Sequence, residues 1–310
     1  MKIAFVFPGQ GSQSVGMLDA WAGNVEVSRT LEQASAALNQ DLGALISQGP
    51  AEQLNLTTNT QPVMLMAAVA MYRAWVAAGG AAPVLLAGHS LGEYSALTVA
   101  GSLALEDALR IVRVRADAMQ AAVPVGSGGM AAILGLADEV VKDVCVQAAQ
   151  GDVVEAVNFN APSQVVIAGH KVAVERACVL AKAAGAKRAV VLSVSAPFHS
   201  SLLQPAAVRL EQALAQIELK TPLIPIINNV DVASPVEPAA IKSALVRQAW
   251  HAVRWVETVQ AMKAQGISHI VECGPGRVLS GLVKRIDGSL TGISISDPAS
   301  LEATLGVLQG

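Results

Sequence analysis

The sequence predicts an α/β protein: a main body on a mostly parallel sheet, interrupted by a small inserted domain of order βαββαβ. Three observations carry this. The 310 residues are about twice a typical domain length, enough for one large body and an insert. Hydrophobic residues make up 53% but aromatics only 3%, so Ala, Val, Leu and Ile pack the core, as in parallel sheets and their covering helices. Short β-rich runs also alternate with long Ala/Leu-rich helical patterns.

The chain starts with an apolar run of five residues, Ile3–Phe7, before Pro8 and Gly9. That is too short for a signal-peptide core and reads as a first buried strand over 2–7. Helical periodicity follows at 28–38 and 62–77, then a strand at 84–87, a helix at 94–100 and the best-patterned helix at 105–121. The longest uncharged tract, from Ala74 toward Glu93, is broken by Gly79, Gly80 and Pro83, so no membrane-spanning helix is predicted.

At Val125-Gly126-Ser127-Gly128-Gly129 the composition breaks, as at a linker. A strand is predicted at 130–134, a helix at 137–149, strands at 154–158 and 164–168 around Asn160-Ala161-Pro162-Ser163, a helix at 172–184 and a strand at 187–193. This is the split βαβ order of ferredoxin-like domains. The predicted division is a core of 1–125 and 198–310 with a small domain at 126–197. In the returning core, 204–217 reads as a helix, 225–229 and 269–272 as buried strands and 278–285 as a helix.

A net charge of −3 gives no bulk attraction for nucleic acid or a membrane surface, and neither is expected as a partner. The three cysteines, Cys145, Cys178 and Cys273, are far apart and have no metal-ligand spacing. They read as free thiols in a reducing compartment, the cytoplasm, and no metal site is expected.

Gly88-x-Ser90-x-Gly92 fits a nucleophile elbow, a sharp strand-to-helix turn that projects a serine. A helix starting near Tyr94 would aim its N-terminus at a developing oxyanion. The competing reading is a glycine-rich turn with a capping serine. A nucleophilic serine needs a base, and there are five histidines. His89 neighbours Ser90 and should point away from it, His170 falls in the small domain, and His269 sits in an apolar strand pattern. His199, in the loop where the chain re-enters the main body, is preferred over His251, read as helical. Arg115 shares a helical line with Ala108, Val112 and Met119, which turns its charge inward. An inward guanidinium needs an anion, either a buried Asp or Glu or a substrate carboxylate held by its fork.

Phe7-Pro8-Gly9-Gln10-Gly11-Ser12-Gln13, Gly88-His89-Ser90-Leu91-Gly92-Glu93, the inward Arg115, Pro197-Phe198-His199-Ser200 and Gly274-Pro275-Gly276 together resemble the malonyl-CoA:acyl carrier protein transacylases of bacterial fatty acid synthesis. The likeness spans essentially the whole chain. It implies an α/β-hydrolase-like core and a ping-pong transfer of malonyl from malonyl-CoA through Ser90 to the phosphopantetheine thiol of acyl carrier protein. It further implies His199 as base and acid, the Gln248 carbonyl as its orienting acceptor, and the N–H groups of Gln10 and Leu91 as oxyanion donors. Arg115 would bind the malonyl carboxylate, Gln61 would lie at the substrate, and bulk at Phe198 would disfavour an α-methyl group. No bound cofactor is implied. Acyl carrier protein is typically acidic, which makes Lys187, Arg188, Lys284 and Arg285 candidate docking residues. The other readings are a polyketide-pathway acyltransferase, a serine thioesterase or other hydrolase of the same elbow type, and a carrier-binding scaffold without catalysis.

Overall fold

The first apolar run forms β1 (Ile3–Phe7), buried at every residue, at the centre of a five-stranded parallel sheet. The computed structural model describes residues 2–309. After β1 come α1 (Val25–Leu38), α2 (Leu42–Gln48), α3 (Ala51–Leu54), α4 (Thr57–Ala77), β2 (Leu85–Gly88), α5 (Gly92–Val99) and α6 (Leu105–Ala121). Asn24 caps α1 by accepting from the N–H groups of Glu26 and Val27, so this helix begins ahead of its periodic stretch. The short α2 and α3 display too little period to be read. Helix α4 starts at Thr57, not at Pro62, which sits in its second turn and forfeits one ladder hydrogen bond. It is buried along most of its length, as befits a helix apolar on all faces. Phe5 packs on Tyr72 and Trp75 of α4, with ring centroids 5.6 and 5.5 Å away.

Next come β3 (Gly128–Leu134), α7 (Asp138–Ala149), β4 (Val154–Ala161), β5 (Gln164–His170), α8 (Lys171–Ala183) and β6 (Arg188–Val191). The four strands form an antiparallel sheet in the order β4-β5-β3-β6. Its side chains alternate between two environments. Ala131, Ile133, Val165 and Ile167 pack on α7 and α8, whereas Met130, Val166 and Ala168 join the core of the main body.

The chain ends with α9 (Gln204–Ala215), β7 (Ile226–Ile227), α10 (Pro238–Gln248), α11 (Trp255–Ala264), β8 (His269–Cys273), α12 (Val278–Ile286), β9 (Thr291–Ile295) and α13 (Pro298–Gln309). The parallel sheet runs β7-β2-β1-β8-β9. All five carboxyl ends therefore point one way, where ligands bind in open α/β sheets. The chain leaves that edge at Pro8 after β1, at His89 and Ser90 after β2, at Asn228 after β7 and at Gly274 after β8. Among the described residues no helix is long and apolar enough to cross a membrane.

Candidate active site

Ser90 leaves β2 with φ of +52°, a left-handed conformation unusual for a residue with a side chain. The two flanking glycines make this turn possible. A Cβ on Gly88 would lie 1.8 Å from the Gly92 carbonyl carbon, and one on Gly92 would lie 2.0 Å from the Phe7 carbonyl oxygen. Asn229 holds the turn from the neighbouring strand end: its Oδ1 accepts from Ser90 N at 2.7 Å and its Nδ2 donates to Gly88 O at 2.7 Å.

The Ser90 hydroxyl faces His199 Nε2 at 2.7 Å. The other ring nitrogen, Nδ1, lies 2.8 Å from the backbone carbonyl of Gln248, which only accepts. Nδ1 therefore carries the proton, and Nε2 is left as the acceptor for the serine. Burial, and then the charge of Arg115, lower His199 to about 3, so the ring is neutral through the physiological range. The other histidines lie elsewhere. His89 pairs its Nε2 with Asn160 Oδ1 at 2.8 Å and leans on Trp255. His170 accepts from Val153 N inside the antiparallel sheet region, and His269 opens β8 beside Ser268. His251 is not helical; it follows α10 and uses Nδ1 on the Arg247 carbonyl.

Arg115 is 3% exposed on the inward face of α6, in line with Ala108, Val112 and Met119. Its Nη1 donates to Gln61 Oε1 at 2.6 Å, and its Nη2 donates to Ser90 Oγ at 3.0 Å and to Gln248 Oε1 at 3.1 Å. The Tyr94 ring lies under the guanidinium, 5.6 Å from its carbon. Among the described residues no carboxylate comes within ion-pair distance of it, and the buried Nε has no partner. A buried Asp or Glu thus does not explain the inward charge by direct pairing. The carboxylate that acts on it through Gln248 is Glu93, whose Oε2 accepts from Gln248 Nε2 at 3.0 Å and from Asn229 N at 2.9 Å. Burial pushes the Glu93 carboxyl up to about 7 against these donors and the charge of Arg115.

A cleft of about 560 Å³ opens onto Ser90 between the main body and the antiparallel sheet. Gly9, Gln10, Leu91, Arg115, Phe198 and His199 line one part of it, and Met130, Asn158, Asn160, Val166 and Leu192 line another. Neither Gln10 N nor Leu91 N donates to a protein acceptor among the described residues, although both stand on the cleft wall. The resemblance puts Gln61 at the substrate. In the structure it stands behind Arg115, 1% exposed and off the cleft wall, because α4 turns it inward and Arg115 occupies its carbonyl.

Lys187, Arg188, Lys284 and Arg285 are all exposed. Leu134 pairs with both Arg188 and Gln164 in register, and Arg285 donates to Gln164 Oε1, so the two basic pairs share one end of the antiparallel sheet. Among the described residues no group of three or more His, Cys, Asp or Glu side chains is placed to hold a metal ion.

Asn229, Asn160, Thr57 and Glu93 join the site through contacts that the sequence pattern does not predict. Asn229 had a readable signal: it closes the run Pro225-Ile226-Ile227-Asn228-Asn229 at the carboxyl end of a buried strand. Thr57 had none, since its importance lies in a contact with the distant Gln10.

The chain matches the family model described as an acyl transferase domain over residues 4–297. A malonyl CoA-acyl carrier protein transacylase of Salmonella typhimurium is 54% identical over 305 residues, covering 98% of this chain and 99% of the relative. The crystal structure of an acyl-carrier-protein S-malonyltransferase from Burkholderia pseudomallei superposes with a TM-score of 0.97 at 63% identity, covering 99% of this chain and 100% of that one. A malonyl-transacylase solved in complex with a type II PKS acyl-carrier protein superposes with a TM-score of 0.98 at 50% identity, covering 99% and 100% of the two chains. With a full-length sequence match, a superposable fold and a serine, histidine and arginine converging on one cleft, the chain belongs to the acyl transferase family.

Proposed function

We propose that this protein moves a malonyl group from malonyl-CoA to the phosphopantetheine thiol of acyl carrier protein, through a malonyl ester on Ser90. One observation carries the reading: Ser90 Oγ sits between His199 Nε2 at 2.7 Å and a buried arginine, Arg115, at 3.0 Å that has no carboxylate partner among the described residues. An esterase needs the first contact but has no use for the second.

His199 takes the Ser90 proton as Oγ attacks the thioester carbonyl, and the tetrahedral oxyanion faces the free N–H groups of Gln10 and Leu91. The C–S bond breaks, and the imidazolium returns its proton to the departing CoA sulfur. The carrier thiol then enters by the reverse sequence: His199 takes its proton, the sulfur attacks the malonyl ester, and Ser90 leaves with the proton. Arg115 holds the malonyl carboxylate through its terminal Nη groups, the substrate taking the hydrogen that Nη2 gives Ser90 Oγ in the free protein. That pairing also offsets the positive charge that depresses His199, so a bound malonyl group makes the base stronger. Malonyl binding and catalysis are thereby linked, and acetyl obtains neither effect.

Phe198, nearly buried on the cleft wall beside His199, supplies the bulk that disfavours an α-methyl substituent. The basic end of the antiparallel sheet, with Lys187, Arg188, Lys284 and Arg285, is the docking site for acidic carrier protein. Arg188 and the cleft residue Leu192 lie on the same face of that sheet, which gives the phosphopantetheine arm a path from dock to nucleophile. We also read residues 126–197 as a ferredoxin-like insert in an α/β-hydrolase-like core. Every proton and charge in this scheme is handled by the chain's own groups, so no resident cofactor is assigned. Initial-rate kinetics test the order of events. Parallel double-reciprocal lines for malonyl-CoA against carrier protein are expected, and intersecting lines would rule out the covalent route.

A further inference from the structure

Arg115 has hydrogen-bond donors only, and this fixes the direction of a chain of contacts behind it. Its Nη1 donates to Gln61, so the Gln61 carbonyl oxygen faces the guanidinium at 2.6 Å and the NH₂ group points the other way. That NH₂ donates to Thr57 Oγ1 at 3.0 Å. The single hydroxyl hydrogen of Thr57 then goes to Gln10 Oε1 at 2.9 Å. Reversing either of the first two links would set donor against donor, and at the last the Gln10 amide presents its Oε1 to the Thr57 hydroxyl. The chain ends on Gln10, which lines the cleft and whose backbone N–H is free of protein acceptors among the described residues.

Gln10 is exposed and lies between Gly9 and Gly11, the latter at φ of +115°. A glycine-flanked residue has little intrinsic reason to keep one orientation. On the far side the loop is tied: Gly11 N donates to Gln13 Oε1 at 2.6 Å, and Gln13 Nε2 donates to Asn55 Oδ1 at 2.8 Å. Among the described residues the side chain of Gln10 has one tether, the hydroxyl of Thr57, itself 3% exposed.

We infer that Thr57 is a positioning residue for the oxyanion hole, holding the Gln10 N–H on the carbonyl oxygen and joining it through Gln61 to the arginine that reads the substrate carboxylate. The inference rests on the reading of Gln10 and Ser90 proposed above. Aligned hydrogen bonds in a buried setting polarise one another, so the chain acts as a unit. A tether of this kind affects the transition state and leaves ground-state binding of malonyl-CoA alone.

The test is single-turnover malonylation of Ser90 from malonyl-CoA, followed by quenched-flow mass spectrometry. Thr57→Val keeps the shape and deletes the hydroxyl; Thr57→Ser keeps the hydroxyl. Gln10→Ala keeps the backbone N–H, releases the tether and, at an exposed site, leaves the fold intact. Thr57→Val and Gln10→Ala are each expected to slow acylation roughly ten- to a hundredfold, with the half-saturating malonyl-CoA concentration within about twofold of the parent. Thr57→Ser should stay within about threefold of the parent, and the double variant Thr57→Val/Gln10→Ala should be no slower than the slower single variant. Acylation at the parent rate in either single variant, multiplying effects in the double, or a change confined to half-saturation would overturn the inference. If the parent itself took no malonyl group on Ser90, the broader reading would fail, and the two failures are told apart by that control.

Discussion

Arg115 Nη2 donates to Ser90 Oγ at 3.0 Å, so the side chain proposed to recognise the substrate's carboxylate touches the nucleophile in the free protein. Recognition and attack are therefore parts of one hydrogen-bonded cluster, and removing either partner should disturb both.

Arg115→Ala is expected to lower malonyl loading roughly a hundredfold, since a charge-assisted bond to a buried group contributes about 1.5–3 kcal/mol. Acetyl has no carboxylate to lose, so its loading should rise relative to malonyl. The check is the ratio of initial acylation rates with malonyl-CoA and acetyl-CoA. An unchanged ratio would assign Arg115 to structure alone.

The low pKa of His199 has a defined consequence for stability. Its value of about 3 lies below the ordinary 6.5, so the unfolded chain binds the proton more readily. The stabilisation is complete above about pH 6.5 and is lost as pH falls toward 3. On the order of 2 kcal/mol should disappear between pH 6.5 and 5. Urea denaturation of the parent and His199→Ala at several pH values tests this: the variant should lose less stability on acidification.

Glu93 acts with the opposite sign. Its folded value of about 7 exceeds the ordinary 4.5, so its contribution is complete below about pH 4.5 and is lost as pH rises through 7. Because His199 is neutral throughout this range, titration of the rate near neutrality belongs to Glu93 and the Gln248 contact it holds. Glu93→Gln should flatten the profile of kcat/KM for malonyl-CoA against pH around 7. A profile that kept its midpoint in the variant would contradict this assignment.

Asn229→Ala leaves the half-buried Ser90 N–H and the buried Gly88 carbonyl without their side-chain partner. Each such loss costs about 1–3 kcal/mol, and the elbow is freed to relax from φ of +52°. A stability loss of roughly 2–4 kcal/mol is expected, with at least a tenfold drop in acylation rate, by denaturant melts and stopped-flow assays.

The alternation of β-rich and helical runs exposed the parallel sheet, and the glycine-rich break at 125–129 marked the approach to the second sheet. Its six elements are readable because each carries its own period between clear turns. By contrast, α2 and α3 are too short to show a period, β7 pairs over two residues only, and β9 is a half-exposed edge strand containing Gly292. No expectation covered α10, α11 or α13. Ser90 and Arg115 stand out in the sequence because each violates a local rule, one as a serine in a crowded glycine turn and the other as a charge on an apolar stripe. His199 required elimination among histidines, and Gln248 required the resemblance, since a backbone carbonyl has no sequence signature. Asn229, Glu93 and Thr57 act through contacts between distant segments. Periodicity is silent about such contacts.

Intact-mass spectrometry of the protein after incubation with malonyl-CoA, before and after addition of phosphopantetheinylated acyl carrier protein, follows the malonyl group itself. One malonyl group is expected on the parent and none on Ser90→Ala, and the group should move to the carrier protein when it is added. Labelling of Ser90→Ala, or loss of the group to water and not to the carrier, would contradict transfer through Ser90.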